Sequence, residues 1–368
     1  MAANALAAAL ARAPTSPSSL AAAACRRCWT ILKPLRWKVL AIDTSTADFA
    51  RLNIFLVETG RHVARLHLTF DARNVHRVDQ LAPCLRLLSS IVHFKLLVIT
   101  SQRGTDVPAQ RLTEIYQALR ERSTRLETLE LRASDDSIDF LAPGLTELLR
   151  QNTSLRAVKV FMQQSLADRL MVRDNFCAAL ADLTEIRVVH LETAVLSGLG
   201  QCRPQWPFLS YAAFEFGFEN SAVELDLILY SSRDSLRAIV ISEFSRNVRG
   251  AEASGPLHFH QLETAVVTTT EAFSLFRQLV HVSSPVHDLY ITEVTPESVQ
   301  AVKAFYDDKP TKTLTRLVVP TGLSVLAVID EDSFWALCDW AGPREIEVIQ
   351  ADEDAFCDAL QRRAWQGW

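Results

Sequence analysis

Apolar positions in this chain alternate between two periods. From Gln110 to Arg120, Leu112, Ile115, Tyr116 and Leu119 fall at the spacing of one helix face. From Ser123 to Asp135, in STRLETLELRASD, Leu126, Leu129 and Leu131 form L-x-x-L-x-L. Leu129 and Leu131 are two apart, so in a strand they share one face. A helix, a turn and a Leu-rich strand make one supersecondary unit. Such a unit cannot bury its apolar face alone and needs copies of itself.

The chain supplies the copies. Aligning the last apolar position of the motif selects Ile42, Leu68, Ile99, Leu131, Val160, Leu191, Phe214, Ile241, Val267, Ile291, Val319 and Val348. The spacing averages about 28 residues, inside the range of the leucine-rich repeat. The clearest copies are LETLEL (126–131), LRAVKV (155–160), IRVVHL (186–191), LRAIVI (236–241) and LTRLVV (314–319). FKLLVI (94–99), LSYAAF (209–214) and LETAVV (262–267) are weaker. The alternative is a set of unrelated strands in an ordinary α/β domain.

On these motifs the stretch from Leu35 to Ala364 resembles leucine-rich repeat proteins. The resemblance implies an α/β solenoid, with parallel strands on one face, helices on the other and irregular repeats. The Asn or Cys that follows the motif in regular members is absent. Ser134, Gln163 and Ala194 stand there, so the backbone groups at the turns need other partners. Asn152, in LLRQNTSLRAVKV, suits a left-handed helix cap before its strand. Helices are expected at Asp48–Glu58, at Val75–Ser90 with a break at Pro83, at Ile138–Arg150 and at Leu166–Leu183. Gln201–Gly217 is the least regular stretch, and Arg246–Gly255 reads as a loop.

Residues 19–43, SLAAAACRRCWTILKPLRWKVLAID, resemble the second half of a fungal F-box. Cys25, Arg26, Trp29, Pro34, Leu35 and Trp37 carry the match. The first half, Leu-Pro-x-Glu-Ile and an apolar helix, is replaced by Ala-rich sequence. The resemblance implies substrate recognition for a cullin-RING ubiquitin ligase, with Cys25, Trp29, Pro34, Leu35 and Trp37 facing the adaptor or capping the solenoid. A solenoid end must be closed, and Trp29 and Trp37 suit that task.

Four segments follow: residues 1–17, Ala/Ser/Pro-rich and disordered; 18–43, an F-box-like N-terminal cap; 44–364, the solenoid; and 365–368, a tail. Net charge is −5, yet residues 1–42 hold six Lys or Arg and no acid, while 321–368 hold ten acids against three Arg. An acidic chain is a poor nucleic-acid binder. No run of 18 apolar residues occurs, so no membrane partner is expected. Seven scattered Cys read as reduced thiols of a cytoplasmic or nuclear protein. The Arg-bearing, acid-free start also fits a mitochondrial transit peptide, although its Arg are sparse and its amphipathicity is poor.

No cofactor motif is present: neither G-x-x-x-x-G-K nor G-x-G-x-x-G, G-x-S-x-G or H-E-x-x-H. Cys25-x-x-Cys28 has no second pair. His258 and His260 share a strand face without a third ligand near them in sequence, so no metal is expected. The expected function is a non-enzymatic protein-interaction solenoid that binds a protein partner through its strand face. Arg132, Lys159, Phe161, His190, Glu192 and Tyr211 are the candidate contact residues, all read as exposed. The alternative class is an α/β enzyme or cofactor-binding protein whose site is dispersed in sequence.

Overall fold

The computed structural model describes residues 38–99, 109–122, 125–133, 142–161, 170–216, 222–243, 256–281, 283–309, 312–321 and 328–351. Its strands are β1 (Val39–Asp43), β2 (Arg65–Asp71), β3 (His93–Ile99), β4 (Thr128–Ala133), β5 (Ala157–Phe161), β6 (Val188–Glu192) and β7 (Tyr211–Phe216). There follow β8 (Ala238–Glu243), β9 (Thr264–Val267), β10 (Asp288–Ile291), β11 (Glu293–Val294), β12 (Arg316–Pro320), β13 (Val328–Ile329) and β14 (Glu347–Ala351). The helices are α1 (Phe49–Thr59), α2 (Val78–Leu85), α3 (Ala109–Arg120), α4 (Pro143–Gln151), α5 (Leu170–Ala181), α6 (Thr193–Cys202), α7 (Ala222–Leu229), α8 (Thr270–Leu279), α9 (Pro296–Asp308) and α10 (Glu331–Ala341).

Twelve strands form one open sheet in chain order, and every described pairing is parallel. β11 and β13 form a separate parallel pair. This is a solenoid of α/β repeats: each strand of the sheet pairs only with those of the repeats before and after it, and the helices line one side of the sheet. One apolar core runs along that side, with Leu66, Phe94, Leu129, Val158, Val189, Ala212, Ile239, Ala265, Leu289 and Leu317 in a single register row.

The register follows the sequence motif at ten of its twelve positions and differs at two. Leu96, not Ile99, pairs with Leu68 and Leu131. FKLLVI holds adjacent apolar residues, so its alternation has two readings. Burial of Phe94, Leu96 and Val98 selects the one in which Ile91-x-x-Phe94-x-Leu96 is the motif. At the far end Val348 pairs with Leu317, and Gln350 stands opposite Val319. Gln350 is exposed, so the core row ends at the last strand.

The absent Asn ladder is replaced at the strand entries. The carbonyl before each strand accepts two N–H groups from the next repeat: Lys38 from Ala64 and Arg65, Glu127 from Arg156 and Ala157, His287 from Thr315 and Arg316. The same pattern recurs from β1 to β12 at 2.8–3.1 Å. Side chains in the helix-to-strand turns add a second line of bonds between repeats. Asn152 Oδ1 accepts the Leu126 N–H at 2.9 Å, Ser231 Oγ that of Trp206 at 2.8 Å, and Ser284 Oγ that of Phe259 at 3.0 Å. These bonds satisfy buried backbone donors that have no partner in their own repeat.

Asn152 therefore acts through its side chain. Its backbone lies at φ −105° and ψ 65°, not in the left-handed region expected of it, and its Nδ2 donates to Leu148 O at 2.8 Å. The expected helix 75–90 is a 3₁₀ turn (Ala72–Arg77) followed by α2, which ends at Leu85. Pro83 within α2 removes one helix donor. α4 is described from Pro143, its first position, and α5 from Leu170. The loop read at Arg246–Gly255, residues 18–37 of the expected cap 18–43, and the segments 1–17 and 365–368 lie outside the described residues.

Candidate protein-binding strand face

Side chains that do not enter the core project from the opposite face in three register rows. One row runs Arg65, His93, Thr128, Ala157, Val188, Tyr211, Ala238, Thr264, Asp288, Arg316. The next runs His67, Lys95, Glu130, Lys159, His190, Ala213, Val240, Val266, Tyr290, Val318. The third contains Thr69, Leu97, Arg132 and Phe161, and separately Glu192 opposite Glu215. Arg132, Lys159, Phe161 and His190 thus lie on one face, and Tyr211 belongs to the same face.

That face changes character along the solenoid. On β1 to β4 it is open and charged: Arg65, His67 and Arg132 are exposed, and His93, Lys95 and Glu130 are half-buried. Lys95 Nζ pairs with Glu130 Oε1 at 2.6 Å, and His93 Nδ1 lies 2.8 Å from Thr128 Oγ1. Burial is the main cause that lowers the His67 pKa, with Lys95 next; burial and then Arg65 do the same for His93. Both rings are thereby biased toward the neutral form at pH 7.

Over β5 to β10 the face is largely buried and mostly apolar. Ala157, Val188, Tyr211, Ala213, Val266 and Val318 form a second buried cluster, flanked by Ala238, Val240 and Tyr290. The expectation of exposure fails here: Lys159 is 5%, His190 7% and Tyr211 4% exposed. Alternation along a strand assigns a face, but it does not say whether that face meets water. In this half Ala157, Val188, Ala213, Val240 and Val266 surround them with apolar side chains, while Asp288 is held by Arg316 at 2.6 Å further along. Nothing is described of the Glu192 side chain.

The boundary between the two halves is a stack across three strands. The Arg132 guanidinium carbon lies 5.6 Å from the Phe161 ring centroid. Phe161 meets His190 edge to face with centroids 4.4 Å apart. Cation–π and aromatic pairs of this kind fix side chains at the rim of the closed half. Arg132 is exposed and Phe161 half-buried, so the rim is accessible. Cys25, Trp29, Pro34, Leu35 and Trp37 lie outside the described residues.

A shallow cleft beside Tyr290, Val318, Pro320 and Ala351 has an empty volume of about 230 Å³, open solvent included, and an almost wholly apolar lining. No helix among the described residues is long and apolar enough to cross a membrane.

No protein-family model matches the chain. A search of curated proteins finds no significant match either. Among solved structures, a chain of the crystal structure of the Rad7 and Elc1 complex in yeast is similar with a TM-score of 0.35 and 13% identity, over 86% of this chain and 82% of that one. A likeness of that size carries no argument. The repeat architecture rests on the strand order and register described above.

Proposed function

We propose that this chain is a non-enzymatic protein-interaction solenoid whose partner docks on the open strand face of β1 to β4, up to the Arg132–Phe161 rim. The observation that supports this reading most is the change along the face. The same register rows that are largely buried and mostly apolar over β5 to β10 are open at β2 to β4. There they present Arg65, His67, Lys95, Glu130 and Arg132, with a half-buried aromatic at the boundary. Mixed charge around an aromatic anchor is the composition of a protein interface. Lys159, His190 and Tyr211 flank that surface on the same face, and Phe161 is its anchor.

The resemblance of residues 19–43 to an F-box supports a narrower reading: substrate recognition for a cullin-RING ubiquitin ligase in the cytoplasm or nucleus. Cys25, Trp29, Pro34, Leu35 and Trp37 would then meet the adaptor or close the first repeat. Affinity capture tests both readings. The intact chain and an Arg65→Glu/Arg132→Glu variant are compared, with Arg150→Glu on exposed helix surface as the control. Partners recovered by the intact chain and the control, but lost with the double variant, support the docking face. Equal recovery by all three overturns it. Recovery of a ligase adaptor, lost on Trp37→Ala, supports the narrower reading.

A further inference from the structure

The outward positions of β1 to β4 hold three acids, Asp43, Asp71 and Glu130, and each already has a partner. Glu130 Oε1 pairs with Lys95 Nζ at 2.6 Å, and Asp71 Oδ2 pairs with Arg73 Nη2 at 2.6 Å. Asp43 Oδ1 accepts the Ser45 N–H at 2.8 Å and the Ser45 hydroxyl at 2.6 Å. Arg65 and Arg132 are left over. Both are exposed, and among the described residues neither forms an ion pair.

Their placement sets a span. Arg65 stands level with His93 and Thr128, and Arg132 follows Thr128 by four positions on β4. Strands lie about 4.8 Å apart and rise about 3.3 Å per residue, so the two arginines are roughly 16 Å apart along a diagonal. The ground between them offers no free charge. Lys95 and Glu130 neutralise each other there. Burial is the first cause that lowers the pKa of His67 and of His93, and the cations Lys95 and Arg65 respectively come second. At the Arg132 corner, half-buried Leu97 and Phe161 flank the guanidinium in one register row.

We propose that the segment docking on this face is an acidic stretch of a partner protein in extended conformation. It carries two carboxylate side chains about five residues apart, since an extended chain covers roughly 16 Å in that length. One carboxylate meets Arg65 and the other meets Arg132, each matched to the two-pronged donor geometry of a guanidinium. An apolar or aromatic side chain beside the second carboxylate packs on Leu97 and Phe161. A basic segment would meet only acids that are already paired. The proposal rests on the docking face described above and adds the partner's chemistry to it.

The experiment is fluorescence anisotropy of the full chain with labelled probes. One peptide carries two Glu about five residues apart with Tyr beside the second, another carries Lys in place of both Glu, and a short oligothymidylate is the third probe. The Glu peptide should bind at least tenfold more tightly than either of the others, and its binding should weaken as salt rises. Arg65→Glu/Arg132→Glu should lose the Glu peptide and take up the Lys peptide, a reversal that loss of structure does not produce. Circular dichroism checks folding, and Arg65→Gln and Arg132→Gln singly replace the double variant if it unfolds, each weakening the Glu peptide severalfold. Equal binding of the probes, no binding of the Glu peptide, or unchanged affinity in the charge variants overturns the proposal. A photo-crosslinking amino acid at His67, with the captured partner segment read by mass spectrometry, separates this proposal from the docking face beneath it. A captured segment without acids overturns the proposal and leaves the face standing, whereas no capture overturns both.

Discussion

Asn152 Oδ1 accepts the Leu126 backbone N–H at 2.9 Å, linking a helix end to the strand entry of the preceding repeat. Asn152 is fully buried, and its Nδ2 donates to Leu148 O, so one side chain ties two repeats and caps a helix. Asn152→Ala removes both bonds and leaves a buried N–H without a partner. The expected loss is roughly 2–4 kcal/mol, since each orphaned buried group costs about 1–3 kcal/mol. Urea denaturation measures it. A loss within about 0.5 kcal/mol would mean that the repeats are not joined through this residue.

Leu129 sits in the core row, whereas Thr128 projects from the opposite face and lies against His93. Leu129→Ala should cost about 2–5 kcal/mol. Thr128→Ala should cost no more than about 1 kcal/mol, the worth of one half-exposed hydrogen bond. Paired urea melts of the two variants check the register, and equal losses would contradict it.

Gly60 ends α1 against the turn after α2. A Cβ there would stand 2.4 Å from the Leu87 carbonyl oxygen, a backbone atom that cannot swing aside. Gly60→Ala should destabilise by roughly 1–3 kcal/mol through overpacking. Gly342 meets nothing within 4 Å, and its alanine variant should be neutral within about 0.5 kcal/mol. Thermal melts of the two variants separate steric closeness from a general intolerance of alanine.

Lys309 is 3% exposed, donates to Ser284 O at 2.7 Å and lies over the Phe305 ring. Burial lowers its pKa to about 8 from the ordinary 10.5. Between those values the unfolded chain holds the proton more tightly than the folded one. The penalty of the buried charge is therefore full below pH 8 and is relieved as pH rises through 10.5. Relative to Lys309→Met, the native chain should gain roughly 3 kcal/mol between pH 7.5 and 10.5. A pH-independent difference in unfolding free energy between the two would show that Lys309 is not desolvated.

Much of the fold was legible because the core rows repeat in sequence. LETLEL, LRAVKV and LTRLVV each name their buried positions, and the pairing confirms them. FKLLVI misled because four apolar residues in a row erase the alternation. The strand face was legible as a face but not as a surface. Val188, Ala213 and Val266 could already be read as apolar in outward positions, yet burial of Lys159 and His190 beside them depends on the neighbouring strands.

The docking surface is tested most directly by where a partner touches. A photo-crosslinking amino acid placed at His67 or Arg132, on the open strand face, is compared with one at Arg150 on the helix side. The prediction is a crosslinked partner from the first two positions and none from the third. Crosslinks confined to Arg150, or equal at all three, would contradict the strand face as the docking surface.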